Sequence, residues 1–175
     1  MCGILGMIGT RWRNDAAKAL AALKLRGPDE QRLCVFGEAV LGHSRLAVID
    51  ILGGRQPMAT SDGELAIVFN GEIYNADVLR KEMESAGISF ATDHSDTEVL
   101  LNGYRVWGER LLGRLDGMFA FAIWDRRSGQ LFAARDKFGI KPLMYAVIDG
   151  GLVFASTLAP FLEMPGFPRE LDKEA

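Results

Sequence analysis

Cys2 stands directly behind Met1, at the head of the apolar, glycine-spaced run Gly3-Ile4-Leu5-Gly6. Removal of Met1 would leave one residue carrying both a thiol, with a pKa of about 8.5, and an α-amine that titrates near roughly 7.7–8.0. The neutral amine can take the thiol proton near neutral pH, so a single residue supplies nucleophile and base for acyl transfer. The plainer alternative is a small buried hydrophobe.

Acyl transfer also needs donors for a developing oxyanion. The segment Phe69-Asn70-Gly71-Glu72-Ile73-Tyr74-Asn75 offers the Asn70 amide and the Gly71 backbone N–H. Such donors suit a tetrahedral intermediate, and Gly keeps side-chain bulk away from the substrate. The structural alternative is a type I′ turn, for which Asn-Gly is the usual signal. Arg45, within Gly42-His43-Ser44-Arg45-Leu46, has the planar fork that grips a carboxylate, or it is a solvated surface arginine. Glu72 and Asp96 are candidate anions. As plainer readings, Glu72 is a turn residue and Asp96 a helix-start residue favoured by the dipole. His43 and His94 with the two cysteines lack zinc spacing, and neither Gly-x-Gly-x-x-Gly nor Gly-x-Ser-x-Gly occurs.

These residues must be positioned by neighbouring elements. Gly3–Ile8 reads as a buried strand. Asn14 is placed to cap a helix over Ala16–Leu25, stopped by Gly27 and Pro28. Arg32–Phe36 and Val40–Leu46 form a hairpin around Gly37-Glu38, and Leu65–Phe69 is a further strand. Asn75 opens a helix over Ala76–Ala86. Ser95-Asp96-Thr97-Glu98 reads as a capping box opening a helix to about Trp107. Met118–Trp124 is a buried strand turning into Gln130–Ala134, and Leu143–Val147 pairs with Leu152–Ala155 through Asp149-Gly150-Gly151. Strands dominate, with helices set between hairpins. This predicts an α+β layered domain of antiparallel sheets rather than a parallel βαβ fold.

Composition bounds the rest. The 175 residues are 49% hydrophobic and 25% charged, as in one globular domain. A net charge of −3 gives no reason to expect nucleic acid or an anionic membrane as partner. No run approaches the roughly 18–20 apolar residues of a membrane span, and no basic n-region opens a signal peptide. Cys2 and Cys34 make no disulfide framework, so a cytoplasmic, reduced setting is expected; a redox pair would require their sulfurs within bonding reach.

Taken in order, Met1-Cys2-Gly3-Ile4, Arg26-Gly27-Pro28-Asp29, Gly42-His43-Ser44-Arg45-Leu46, Phe69 through Asn75, Ser95-Asp96-Thr97-Glu98, Gly117 through Ala122 and Arg135-Asp136 through Pro142-Leu143 resemble one family. It is the glutaminase domain of class II glutamine amidotransferases, in the branch of the glutamine-hydrolysing asparagine synthetases. The resemblance runs from Met1 to about Ser156. It implies a four-layer αββα N-terminal-nucleophile hydrolase sandwich of two antiparallel sheets, spanning residues 1–160. Residues 161–175 would then be a linker or the truncated start of a C-terminal synthetase domain.

The resemblance further implies that Cys2, freed of Met1, attacks the side-chain amide of L-glutamine, with Asn70 and Gly71 as the oxyanion hole. Arg45 would hold the substrate α-carboxylate and Glu72 and Asp96 its α-ammonium, while backbone groups of Leu46, Ala47, Val48 and Ile49 line the pocket. No cofactor is expected in this domain. ATP and Mg belong to the synthetase domain, whose Ser-Gly-Gly-x-Asp-Ser motif the chain lacks. Ala155-Ser156-Thr157-Leu158-Ala159 stands where relatives often have Ala-Ser-Glu-x-Lys, leaving the ammonia acceptor open, and Leu25 stands where many have His. A homodimer is left open. The competing readings are a stand-alone glutaminase and a catalytically silent amino-acid-binding domain.

Overall fold

The computed structural model describes residues 1–46 and 54–169. The first sheet contains five antiparallel strands in the order β2-β3-β1-β9-β8. These strands are β1 (Gly3–Ile8), β2 (Glu30–Phe36), β3 (Ala39–Arg45), β8 (Met144–Ile148) and β9 (Gly151–Ala155). The second sheet has the order β4-β5-β6-β7, with β4 (Met58–Ala59), β5 (Leu65–Ile73), β6 (Gly117–Asp125) and β7 (Gln130–Arg135).

The alternation of side chains along each strand builds the layers. Leu5 and Met7 of β1, Val40 of β3 and Val153 and Ala155 of β9 pack against α1 (Ala16–Ala21), α4 (Ala159–Leu162) and the segment around Trp12. The opposite parity, with Ile4, Ala39, Leu41 and Phe154, meets Ala66, Val68, Ala120, Ala122 and Trp124 of the second sheet. The other face of that sheet, with Leu65, Ile67, Phe69, Phe121 and Ile123, packs on Leu100 and Leu101 of α3 (Asp96–Trp107) and on Leu111. Leu79 and Met83 of α2 (Ala76–Ser85) pack with Val99 of α3. The four expected layers, helix–sheet–sheet–helix, follow from the first three of these apolar clusters. The inter-sheet cluster is rich in alanine, and Gly6 makes room there for the Phe154 ring: a Cβ on Gly6 would stand 2.0 Å from it.

Several expectations are corrected. The helix predicted over Ala16–Leu25 stops at Ala21 and is preceded by a 3-10 turn at Arg11–Asp15. Its N-cap position is held by Asp15 rather than Asn14, with no side-chain cap hydrogen bond, and Leu25 is fully exposed. The structure excludes a turn at Asn70-Gly71: β5 runs on through both, pairing Asn70 with Ala120 and Gly71 with Phe119. Asn75 does open α2, at its N-cap position as expected, but its side chain makes no cap hydrogen bond: its amide donates to Arg114 O, and its Oδ1 accepts from Asp116 N. The capping box at residues 95–98 does not form. Ser95 makes no cap hydrogen bond, and Glu98 instead accepts from Ala91 N, Thr92 N and Thr92 Oγ1. Apart from these corrections, Phe161 and Met164 are buried in the first helical layer, and Phe167 packs on Trp12 and Phe161. Residues 170–175 lie outside the described residues.

Candidate active site

Strand parity decides what faces the gap between the sheets. On β1 the inward register of Ile4 continues back to Cys2. On β3 that of Ala39 and Leu41 continues to His43 and Arg45. On β5 that of Ala66 and Val68 continues to Asn70 and Glu72, and on β6 that of Ala120 and Ala122 reaches back to Met118. Towards this end of the sandwich the apolar filling stops and a cavity of about 320 Å³ opens. That volume lies at the small end of the roughly 300–1,000 Å³ typical of small-molecule sites. Cys2, Arg45, Leu46, Asn70, Gly71, Glu72 and Asp96 all line it, so these separately expected residues share one wall system. Ala47, Val48 and Ile49 lie outside the described residues.

Cys2 is half-buried. Its thiol donates to Leu46 O at 3.6 Å and accepts from Leu46 N at 3.4 Å, which aims the sulfur along the end of β3. The Cys2 carbonyl accepts from Arg26 Nε at 3.1 Å. Met1 is exposed and also lines the cavity. Asn70 is buried, and its Nδ2 donates to no acceptor among the described residues. Gly71 is required by the close approach of β6: a Cβ would stand 2.2 Å from Met118 O and 2.7 Å from Phe119 Cα.

Arg45 is buried, with Nη1 3.9 Å from Glu30 Oε2, its partner in the β2–β3 register. Asp96 opens α3 and accepts from Ile73 N at 3.3 Å. Burial pushes its carboxyl up to about 6, aided by the Glu72 charge, against backbone N–H groups that favour the anion. Two carboxylates this close, one of them disfavoured as an anion by burial, lack a positive partner within the site among the described residues. A cationic ligand group would supply one.

The lining residues not singled out from sequence include His43, Gln56 and Lys141. His43 is buried, with Nε2 3.2 Å from Phe69 O, the peptide that carries Asn70; burial lowers its pKa to about 4. A neutral ring with a proton on Nε2 donates to that carbonyl and ties the two sheets together beside Asn70. Gln56 Oε1 accepts from Phe69 N at 2.6 Å, and its Nε2 donates to Thr97 Oγ1 at 3.3 Å, linking β5 to α3. Lys141 is buried and enters the cavity from the loop after β7. That loop is fixed by Asp136, whose carboxylate accepts from the backbone N–H of Phe119, Phe138, Ile140 and Lys141. Burial would raise the Asp136 carboxyl, but these N–H groups outweigh it and hold the pKa below the usual carboxylate range. His43 shares the inward parity of Arg45, so its position was available in the sequence; Gln56 and Lys141 sit in loops without a periodic signal.

The redox reading fails on distance. Both cysteines are free. Gly3 faces Ser44 on one edge of β3 while Cys34 faces Leu41 on the other, roughly 10 Å apart along the strand alone at about 3.3 Å per residue. Among the described residues no group of three or more His, Cys, Asp or Glu is arranged for a metal, and no helix is long and apolar enough to cross a membrane.

Comparison with known proteins agrees with the geometry. Residues 1–175 match the glutamine amidotransferase domain family. Asparagine synthetase (glutamine-hydrolyzing) 3 of Bacillus subtilis is 40% identical over 99% of this chain, which spans 29% of that protein. Asparagine synthetase (glutamine-hydrolyzing) 2 of Arabidopsis thaliana is 40% identical over 90% of the chain, which spans 28% of it. The chain is therefore under a third as long as these relatives. Among solved structures, glutamine phosphoribosylpyrophosphate amidotransferase of B. subtilis shares the fold, with a TM-score of 0.76, 24% identity and coverage of 91% of this chain and 43% of that one. The chain belongs to the glutamine amidotransferase domain family.

Proposed function

We propose that this domain hydrolyses the side-chain amide of L-glutamine through a thioester on Cys2 and delivers the ammonia to an ATP-dependent synthetase domain, as the names of its relatives suggest. The observation that carries the reading is the convergence of Cys2, Arg45, Asn70, Gly71, Glu72 and Asp96 on one amino-acid-sized cavity. In this reading Met1 is removed first, which frees the Cys2 α-amine beside the sulfur. The substrate α-carboxylate meets Arg45, and its α-ammonium meets Glu72 and Asp96. Gripping both charged groups places the amide carbon at the thiol and prepays the entropy of encounter.

The Cys2 sulfur then forms a bond to the amide carbon as its proton passes to the α-amine. The negative oxygen is received by Asn70 Nδ2 and the Gly71 N–H, which stabilises the tetrahedral species. Its collapse breaks the C–N bond, the α-ammonium returns its proton to the leaving nitrogen, and ammonia departs. Water, deprotonated by the same amine, attacks the γ-glutamyl thioester and yields glutamate and the free thiol. Glutamine and water become glutamate and ammonia, with one proton released from the new γ-carboxyl.

No cofactor is assigned to these steps; ATP and Mg belong on this reading to a synthetase domain beyond the stretch matched here. Asparagine is the favoured product, and the cytoplasm the favoured location. A glutaminase assay on protein shown by mass spectrometry to lack Met1 tests the proposal. Ammonia and glutamate should appear in equal amounts and vanish in Cys2→Ala. Glutamine binding without turnover would instead identify a silent binding domain.

A further inference from the structure

Ser95 sits at the N-cap of α3 with extended backbone, φ −73° and ψ 117°. In that geometry a serine hydroxyl ordinarily accepts from an N–H of the first turn and contributes to helix stability. Here it makes no cap hydrogen bond. Glu98, the residue that would complete a reciprocal cap, directs its carboxylate to Ala91, Thr92 and the Thr92 hydroxyl instead. Ser95 is 3% exposed, and its Oγ has no partner among the described residues. A buried hydroxyl in that state carries a desolvation cost that nothing among the described residues offsets.

The location of Ser95 supplies the offset. Among the described residues three buried side-chain atoms lack a partner, and two of them, Asn70 Nδ2 and Ser95 Oγ, belong to residues lining the cavity. Asn70 lies at the Cys2 end of the chemistry described above. Ser95 lies beside Asp96, whose carboxylate is anchored to Ile73 N and stands close enough to Glu72 to feel its charge. An ammonium has three N–H donors. Two carboxylates and one hydroxyl make three acceptors.

We propose that Ser95 Oγ is a binding residue for the α-ammonium of glutamine, completing with Glu72 and Asp96 a three-acceptor cradle that selects α-amino acids over simple amides. This rests on the glutaminase reading and adds a residue to its specificity pocket. The helix gives up its serine cap so that the hydroxyl can turn to the ligand, and the hydrogen bond unused in the free protein forms on binding.

Steady-state kinetics with two ligands tests it. In Ser95→Ala the KM for L-glutamine should rise about tenfold, the usual worth of a hydrogen bond to a charged group, with kcat within threefold, and Ser95→Thr should recover most of the loss. Glutaric acid monoamide keeps the amide and the carboxylate but has no ammonium. As a competitive inhibitor it should bind wild type and Ser95→Ala equally. Equal weakening of both ligands would overturn the proposal, because the serine would then only shape the site. So would an unchanged glutamine KM, or a fall in kcat alone. Absence of turnover in Met1-free wild type would instead sink the glutaminase reading, a failure visible before any Ser95 variant is made.

Discussion

Asp96→Asn separates the cost of a buried carboxylate from its use. The substitution keeps the shape of the side chain and an oxygen for the Ile73 N–H, while removing the titration. In the folded protein the Asp96 carboxyl sits at about 6 instead of 3.8. Folding therefore takes up a proton between these values, and the contribution of this group to stability is greatest below about pH 4. It falls as pH rises and is fully lost above about pH 6. At about 1.4 kcal/mol per tenfold, and with Asp96 half-buried, the loss at pH 7 is roughly 2–3 kcal/mol. Asparagine does not titrate. The stability of Asp96→Asn relative to wild type should climb by that amount from pH 4 to pH 7 in urea unfolding curves, and then level off. The same variant should raise the KM for glutamine at pH 7.5 by tenfold or more. In wild type, kcat/KM should fall below about pH 6 as Asp96 takes up a proton, a limb absent in the variant. A stability difference that does not depend on pH, or a variant less stable at pH 7 with an unchanged KM, would refute the reasoning.

Other outcomes follow from the same geometry. Asn70→Ala should lower kcat about 10²–10³-fold while the melting temperature moves by only a few degrees, because Nδ2 has no hydrogen bond to lose among the described residues; parallel kinetics and calorimetry check both halves. Gly71→Ala forces a Cβ against Met118 O and Phe119 Cα of the paired strand, which cannot swing away as a side chain can. It should destabilise by roughly 3 kcal/mol or more in urea titrations. Asp136 is the reverse of Asp96. Its pKa is depressed in the fold, so its stabilisation is present above the ordinary carboxylate pKa and lost as pH falls through the lower folded value. Asp136→Asn should therefore be most destabilising near neutral pH, and the difference should shrink in unfolding curves taken under acid conditions.

The sequence exposed the chemistry better than the elements carrying it. Cys2, Arg45 and Asp96 are candidates by residue type, each with a plainer reading beside it, and the ordered motifs of the family resemblance single them out. Strand alternation then explains why Cys2, Arg45, Asn70 and Glu72 all face the gap between the sheets. Asn70-Gly71 misleads as a local signal because a long partner, β6, pairs straight across it and overrides the turn preference. The Ser95–Glu98 spacing misleads for a related reason. Glu98 finds three donors in residues 91–92, a contact that no local pattern encodes. Residues 22–25 have helical character, but no partner covers Leu25, and the chain turns before it. Gln56 enters the site through a loop fixed by long-range hydrogen bonds to Phe69 and Thr97, and Lys141 through a loop gathered on the Asp136 carboxylate, which is itself tied to Phe119 N.

The central claim concerns the bond that Cys2 forms. Met1-free protein mixed with L-glutamine and quenched in acid within the first turnovers should yield an N-terminal peptide carrying a γ-glutamyl group on the Cys2 sulfur. That adduct should be absent when Met1 is retained. Full glutaminase turnover with no adduct on Cys2, or an equal rate in protein that still carries Met1, would contradict the account.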